Sequence, residues 1–253
     1  MGTYVYCVGA ADSFGPSRPA LGCHGVGGPD VEVRTVEYDD LAAVVSDAPV
    51  NGYDISRDNL MAHQRVVEAS MRDAEVLPVA FGTVARNDQD VREKLLRREH
   101  DELKEYLAYV EGRAELTLKV LWNRDRLFEE IVAERDDIRA LRDAVARRPP
   151  DSAYYERIQL GELTNAAIGE KRDLEAEAIL AELRPLAVDM ELNRLLADMM
   201  ILNASFLVQA EQIQEFDVRV QQLGEIHADR LLFQYVGPLP PYSFVSVNVS
   251  WEE

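Results

Sequence analysis

The sequence predicts an α+β protein of two domains, followed by an extra strand at the C-terminus. Its 253 residues, 47% of them hydrophobic, are enough for one large or two small hydrophobic cores. Segments with period-two apolar alternation, typical of strands, recur between segments with apolar residues three and four apart, typical of helices. Gly112 and the Gly237-Pro238 pair interrupt these patterns. We therefore expect domains at residues 1–111 and 112–237 and a tail strand at 238–253.

The first block has the pattern of a mixed α/β sheet domain. It opens with a short stretch rich in aromatic and β-branched residues, and a loop rich in Gly and Pro follows. Asp39-Asp40 separates two apolar runs and predicts a hairpin turn, and Ser56 is a suitable N-cap for the first helix. In chain order the expected elements are strand 3–9, a loop to Pro29, hairpin strands 31–38 and 41–45, helix 56–73, a β-like segment 75–85 with Pro78 at an edge or bend, and a helix from Asn87 or Asp88 to Val110.

The second block begins with the clearest strand pattern in the chain. From Ala114 to Trp122, apolar side chains alternate with polar ones, as in a strand with one face in the core. The Leu- and Met-rich stretch 186–209 fits two adjacent strands, although it also fits a helix. The remaining expected elements are helical segments 124–148, 152–184 and 212–228 and a last strand 231–236. The resulting order, βαββαβ, is that of the ferredoxin-like fold, with both helices on one face of a four-stranded antiparallel sheet.

The C-terminal tail has a pattern of its own. The segment Gly237–Pro241 contains three prolines, so it can form neither a helix nor a regular strand ladder. From Tyr242 to Trp251 apolar and polar residues alternate, with one slip in phase. This alternation predicts a separate, extra strand.

Charge argues against several classes of partner. The chain carries 27 Lys and Arg against 46 Asp and Glu, a formal net charge of −19, which repels phosphate backbones and anionic lipid heads. We therefore expect no nucleic-acid partner. Only four of the basic residues are lysines, which fits either a salt-rich cytoplasm or a GC-rich genome. Stability measured against salt concentration would separate these two explanations.

The expected compartment is the cytoplasm. The N-terminal residues lack the basic and apolar regions of a signal peptide, and nowhere do 18 apolar residues follow one another, so we expect no membrane insertion. Cys7 and Cys23 are the only cysteines, and without an export signal they are expected as free thiols.

No pattern in the chain predicts catalytic chemistry, so we expect no enzyme, no cofactor and no metal site. The four histidines fall in different elements without metal-ligand spacing, and the glycine-rich turn after His24 is not followed by a phosphate-binding Lys-Ser/Thr. His63 lies on the apolar face of its helix, which favours a core histidine over a general base. Cys7 points inward from a strand, where a cysteine acts as a small hydrophobic residue.

Three segments are more apolar than ordinary loops or edges: Val76–Gly82, Ile201–Val208 and Pro240–Val249. Each fits a plain core, but any part that is exposed would bind another apolar chain, by strand addition or in a hydrophobic groove. The candidate partner-binding residues are Val79, Phe81, Phe206, Pro240, Pro241, Tyr242 and Phe244.

The sequence resembles the GvpL/GvpF gas vesicle protein family along essentially its whole length. The similarity rests on seven short motifs in the same order, of which the closing Gly-Pro-x-Pro-Pro-Tyr-Ser-Phe-Val is the most specific. They are Tyr4–Tyr6, Leu41–Ser46, Leu60–Glu68, Val76–Val84, Glu115–Val120, Asn203–Val208 and Gly237–Val245.

The resemblance implies an accessory protein of gas vesicle assembly with two α+β domains, the second ferredoxin-like, and with no catalytic residues. Its partners would be the small hydrophobic gas vesicle shell protein and other gas vesicle accessory proteins. Two alternatives stay open. One is a minor structural component of the finished vesicle; the other is a ferredoxin-like small-molecule-binding protein or enzyme, in which His63 near Cys7 or Tyr4 would line a pocket.

Overall fold

The computed structural model describes residues 1–14, 23–72, 74–149, 152–247, 249 and 251. The contacts divide the chain into two compact units. Unit 1 comprises Met1–Glu115 together with Gly237–Glu253, and unit 2 comprises Leu116–Val236. This division differs from the three expected segments because the C-terminal tail packs with the first unit instead of standing apart.

Unit 1 is built on an antiparallel sheet. Its strands are β1 (Gly2–Ala10), β2 (Val33–Tyr38), β3 (Leu41–Ala48), β4 (Val76–Pro78) and β5 (Val84–Ala85). They are ordered β2-β3-β1-β4, and β5 also pairs with β1. The predicted hairpin is confirmed as β2 and β3, and Asp39 adopts a φ of 53° in its turn. Pro78 ends β4 at the sheet edge, where a missing N–H is tolerated.

Helices cover both faces of this sheet. Helix α1 (Arg57–Met71) begins at Ser56, whose side chain accepts a hydrogen bond from the backbone N–H of Asn59. The predicted end of this helix, near Asp73, lies outside the described residues. The other face is covered by α2 (Asp88–Asp90), a π-helical segment (Val91–Arg97) and α3 (His100–Val110).

The second predicted helix of unit 1 is therefore not one regular helix. Adjacent residues of an α-helix point about 100° apart, yet Leu95 and Leu96 are both fully buried. Both leucines lie in a π-helical segment, Val91–Arg97, whose turns are wider than those of an α-helix. Period-3.6 reasoning could not anticipate it.

Unit 2 joins four strands and four helices. The strands are β6 (Arg113–Trp122), which begins in unit 1, β7 (Asp189–Leu192), β8 (Met200–Gln209) and β9 (Leu231–Leu239), which ends in unit 1, and they are ordered β7-β8-β6-β9. The helices are α4 (Arg124–Glu134), α5 (Asp136–Ala146), α6 (Tyr154–Leu183) and α7 (Ile213–Ile226). The interpretation of residues 186–209 as two strands is thus confirmed, with β7 and β8 antiparallel.

The predicted α+β class is confirmed, and the described residues form two antiparallel sheets. In the described part of the chain, no helix has the length and apolar character that a membrane crossing requires.

The prediction of an extra strand at 242–251 is wrong for the described residues of that segment. Strand β9 continues through Gly237-Pro238 to Leu239, and the chain then turns, with Val245 N donating to Pro241 O at 3.1 Å. Beyond this turn the described residues form one isolated parallel bridge, between Val247 and Val79. The expectation that Gly237–Pro241 cannot join a strand ladder is wrong for Gly237–Leu239, which continues β9. Beyond it the tail packs its apolar side chains into the unit 1 core, and this long-range packing replaces the expected strand pairing.

Candidate functional site

A buried aromatic cluster lies between α1 and the unit 1 sheet. Tyr4 and Tyr6 of β1 are fully buried, with ring centroids 4.8 Å apart. His63 of α1 contacts both rings, and Phe81 packs edge-on against His63 at a centroid distance of 5.8 Å. The β1 strand has a register irregularity at Val5–Cys7, which accompanies the presence of Tyr6 and Cys7 on the same face. This cluster fixes Phe81, a candidate partner-binding residue, beside α1.

His63 is a neutral member of this cluster. Its Nδ1 lies 3.0 Å from the Tyr4 hydroxyl, which accepts a hydrogen bond from Gly82 N at 3.0 Å. The hydroxyl and Nδ1 share one hydrogen bond, while Nε2 is buried without a hydrogen-bond partner among the described residues. Burial lowers the pKa of His63 to about 4, against a weaker opposite effect of the Val79 backbone. A ring that is 4% exposed and packed between Tyr6 and Phe81 fits a core histidine better than the wall of an open ligand pocket.

Cys7 is equally unsuited to nucleophilic chemistry in this conformation. It is fully buried, and burial raises the pKa of its thiol to about 12, although a hydrogen bond with Ser70 works in the other direction. The reactive thiolate is therefore scarce at neutral pH. Cys7 is a free thiol, as expected.

One group of potential metal ligands was missed by the sequence analysis. His100 Nε2 lies 2.7 Å from Asp40 Oδ1, and ligand atoms of Asp39, Asp40 and His100 all lie within 4.8 Å of one another. The hairpin turn and the start of α3 are 60 residues apart, so no local spacing could reveal this. Lys104 Nζ donates to the other Asp40 oxygen at 2.5 Å. The arrangement is accordingly an exposed ion-pair cluster in which a lysine already neutralises the carboxylate.

The C-terminal tail completes the core of unit 1. Val245 and Val247 are 4% and 9% exposed and pack in the cluster that contains Leu95 and Leu96. The bridge from Val247 to Val79 lies just past β4, the edge strand of the sheet. Covering an edge in this way protects its open hydrogen-bonding groups from other chains.

Tyr242 lies at the point where the tail enters unit 1. Its side chain is 42% exposed. Burial around the hydroxyl nevertheless raises the pKa of Tyr242, and the nearby Cys7, Glu68, Tyr4 and Glu115 raise it further. Tyr242 is therefore partly covered by unit 1 and partly open to solvent.

The seven candidate partner-binding residues differ widely in accessibility. Six belong to unit 1, while Phe206 lies in the unit 2 core with its ring 5.0 Å from that of Phe216. Val79 and Phe206 are fully buried and account for the apolar character of their segments by core packing. The remaining five range from buried (Pro240, Pro241) through half-buried (Phe81, Phe244) to exposed (Tyr242).

Unit 1 also leaves apolar side chains of α1 and of the tail partly exposed. Leu60 is 42% exposed and lies one turn before His63, against which Phe81 packs. The Glu68 carboxylate, further along the same helix, is close enough to influence Tyr242. We call Leu60, Phe81 and Tyr242 together the α1 flank.

Unit 2 carries a separate groove that the sequence analysis did not identify. It lies among α4, α5 and α6 and consists of two adjoining cavities of about 780 and 570 Å³, which share Phe128, Leu160 and Thr164. The nearest sequence signal is the N-terminal part of α6, where Tyr154, Tyr155 and Leu160 face different directions. A helix with apolar residues around much of its circumference has more apolar surface than one core contact needs.

Comparison with known proteins identifies the family. A family model described as "Gas vesicle synthesis protein GvpL/GvpF" matches residues 2–246. The chain is 34% identical over 249 residues to gas vesicle protein F of a Streptomyces species, covering 97% of this chain and 100% of that relative.

Solved structures show the same fold. The crystal structure of gas vesicle protein GvpF from Anabaena superposes with a TM-score of 0.83 at 24% identity, over 98% of this chain and 99% of that one. GvpF from Microcystis aeruginosa gives a TM-score of 0.78 at 25% identity, over 96% of this chain and 98% of that one. The family model spans nearly the whole sequence, and this chain therefore belongs to the GvpL/GvpF family of gas vesicle synthesis proteins.

Proposed function

We propose that this protein is an accessory protein of gas vesicle assembly that binds the small hydrophobic shell subunit while the vesicle nucleates or grows. The observation that carries the proposal is the α1 flank, where Leu60 and Tyr242 remain 42% exposed in a member of a gas vesicle synthesis family. Exposed apolar residues that are held by a rigid core beneath them are typical of protein-binding surfaces.

The physical need for such a protein follows from the chemistry of the wall. A subunit apolar enough to line a gas-filled, water-excluding shell would aggregate if it were free in the cytoplasm. Binding its apolar surface transiently would prevent this, and a net charge of −19 would keep the complexes apart by mutual repulsion. We expect the protein to act in the cytoplasm, on the growing vesicle, and to contact other accessory proteins there.

We further propose that it acts by binding alone and makes or breaks no covalent bond. Of the two side chains best suited to chemistry, His63 is a weak base, with a pKa of about 4, and Cys7 forms little thiolate, with a pKa of about 12. Both belong to the core of unit 1 and are 4% exposed or less, so a substrate would not reach them without rearrangement.

The ferredoxin-like description of unit 2 is part of the same proposal. The strand order β7-β8-β6-β9 supports it, since this is the order in which a split βαβ unit pairs its strands. Here three helices, α4, α5 and α6, stand where the simple arrangement has one.

Capture of the shell subunit by the purified full-length protein tests the proposal directly. We expect the wild-type chain to retain the subunit and Tyr242→Ala to weaken retention about tenfold, as expected for truncating a central aromatic contact. Leu174→Ala is the matched control, because Leu174 is 74% exposed but lies on α6 in unit 2. Failure of the folded wild-type protein to capture the subunit would refute the proposal, and unchanged capture by Tyr242→Ala would remove the α1 flank from it.

Deleting residues 238–253 is a poorer test than these point variants. The deletion would remove Val245 and Val247 from the unit 1 core, so lost capture could simply reflect unfolding.

A second experiment separates an assembly role from that of a minor wall component. Washed, intact vesicles should have lost the protein if it acts only during assembly, and they should retain it if it is part of the wall.

A further inference from the structure

The groove of unit 2 has an apolar floor that runs along three helices. Phe128, Ile131 and Val132 of α4 face Ile138 of α5 and Leu160 of α6 across the larger cavity. The smaller cavity continues past Phe128 and Leu160 to Ile168 of α6. Because the two cavities share these side chains, they form one continuous groove between the helices. Its total volume exceeds the usual range for a small-molecule pocket.

Two arginines at the smaller cavity lack acidic partners. Arg124 and Arg157 both line it, and within the described residues neither has a carboxylate within ion-pair distance. The Arg124 guanidinium instead lies over the Phe128 ring, 5.9 Å from its centroid.

Neighbouring arginines on the same group of helices behave differently. Arg126 pairs with Glu129, Arg135 with Asp137 and Arg142 with Asp143. The third arginine of the cavity, Arg172, is engaged as well, since it donates to the backbone oxygens of Asp198 and Met200. Arg124 and Arg157 are thus the two groove arginines whose charges remain available to a partner.

We propose that this groove binds an acidic amphipathic helix of a partner protein. The apolar stripe of that helix would lie along the Phe128–Leu160 floor, and its carboxylates would pair with Arg124 and Arg157. Charge complementarity at the smaller cavity selects this occupant. Among the described lining residues, Arg124, Arg157 and Arg172 accompany one acidic residue, Asp198, whereas Asp125 and Glu129 line the larger cavity. The net charge of −19 repels an acidic chain elsewhere, so this basic end of the groove would fix both the place and the register of docking.

The surroundings of the groove favour a helix over a small ligand. Tyr154, one turn before Arg157 on α6, is 64% exposed. It adds apolar surface beyond the smaller cavity, which a helix lying along the groove could cover. Tyrosine and arginine are also the residue types that most often dominate binding energy at protein interfaces. This site is in unit 2, and so it is independent of the α1 flank and of the shell-binding proposal.

Fluorescence anisotropy with synthetic helical peptides tests the inference on the full-length protein. The probe is a labelled peptide of about 18 residues, roughly five turns, with leucines three and four apart and glutamates flanking that stripe. The matched peptides carry lysines in place of the glutamates, or the same residues in scrambled order. We expect saturable binding of the glutamate peptide and at least about tenfold weaker binding of the other two.

Charge reversal locates the site. In the double variant Arg124→Glu and Arg157→Glu, the preference should invert, so that the lysine peptide binds more tightly than the glutamate peptide. Arg147→Glu is the control, because Arg147 is exposed at the end of α5 and does not line the cavities. Thr164→Trp should block the groove for every peptide without a change in charge, and circular dichroism should show that each variant is folded.

Two results would overturn the inference: equal affinity for the glutamate and lysine peptides, or binding that the double reversal leaves unchanged. Sedimentation of the protein alone provides a third. Self-association that is abolished by the double reversal would assign the groove to a second copy of this chain instead of a partner helix. None of these outcomes bears on capture of the shell subunit, which is measured with Tyr242→Ala.

Discussion

The buried carboxylate of Glu115 accepts two hydrogen bonds from one tail residue, Ser243. The backbone N–H of Ser243 donates to Glu115 Oε2 at 2.8 Å, and its hydroxyl donates to Oε1 at 2.7 Å. Glu115 is 3% exposed, so these bonds replace water that the carboxylate gave up on folding. The tail is therefore attached by this pair of hydrogen bonds as well as by the apolar packing of Val245 and Val247.

Removing the Ser243 hydroxyl should weaken the attachment of the tail. We expect Ser243→Ala to lower the free energy of unfolding by about 1–3 kcal/mol, because a buried charged acceptor loses one donor. Ser246→Ala is the control, since Ser246 is an exposed residue of the same tail. Urea denaturation of the wild type and the two variants measures the free energy of unfolding. Equal stability of Ser243→Ala and wild type would show that the hydroxyl hydrogen bond makes no net contribution to it.

The apolar packing of the tail can be tested separately. Val245→Ala removes two methyl groups from a core position that is 4% exposed, which we expect to cost about 2 kcal/mol. Val218, which is 48% exposed on α7, supplies the control Val218→Ala, for which little change is expected. In a Trp122→Phe background, Trp251 is the remaining tryptophan and its fluorescence reports on the tail. A tail that detaches at the same urea concentration in both variants would contradict the prediction.

Acid should destabilise the protein through His63. The pKa of this side chain is about 4 in the folded protein and near 6.5 when it is unfolded, so between these values the unfolded chain binds the additional proton. Stability is thus retained above pH 6.5 and falls as the pH drops from 6.5 towards 4, by roughly 3 kcal/mol. Comparing the pH dependence of unfolding in wild type and His63→Asn isolates this contribution, and identical slopes in the two proteins would refute it.

In unit 2, a network of charged side chains around Glu175 should contribute to the stability of the fold. Glu175 accepts a hydrogen bond from the indole N–H of Trp122 at 2.7 Å and one from Arg230 at 2.5 Å. Glu175→Gln keeps the shape but removes the charge, and we expect a loss of about 1–3 kcal/mol. Glu162→Gln, at an exposed position of the same helix, should change little. In a Trp251→Phe background, Trp122 fluorescence measures the unfolding of unit 2. If Glu175→Gln and Glu162→Gln unfold at the same urea concentration, the charge of Glu175 does not contribute to stability.

Local pattern was sufficient for most secondary structure. The alternation from Ala114 to Trp122 predicted β6, Ser56 predicted the start of α1, and Asp39-Asp40 predicted the hairpin turn. Where pattern failed, a non-local contact decided. Leu95 and Leu96 are buried together in a π-helical segment, and alternating residues after Tyr242 form a turn and one bridge instead of a strand. Their partners lie far away in sequence, so no short window contains the information.

The candidate partner-binding residues show the same limit. Val79, Phe81 and Phe206 are similar as apolar residues in apolar segments, yet two are fully buried and one is half-buried. The groove arginines Arg124 and Arg157 are distinguished by lining the smaller cavity without an ion-pair partner among the described residues, which no local pattern shows.

By itself, the sequence determined the α+β class, the acidic charge and the family, because these depend on composition, local periodicity and motifs in order. Only the tertiary structure decided which apolar side chains remain exposed, where the tail attaches and which charges stay uncompensated. The physical reason is that hydrophobicity makes burial favourable for a side chain without specifying its partner, and the partner is set by long-range packing.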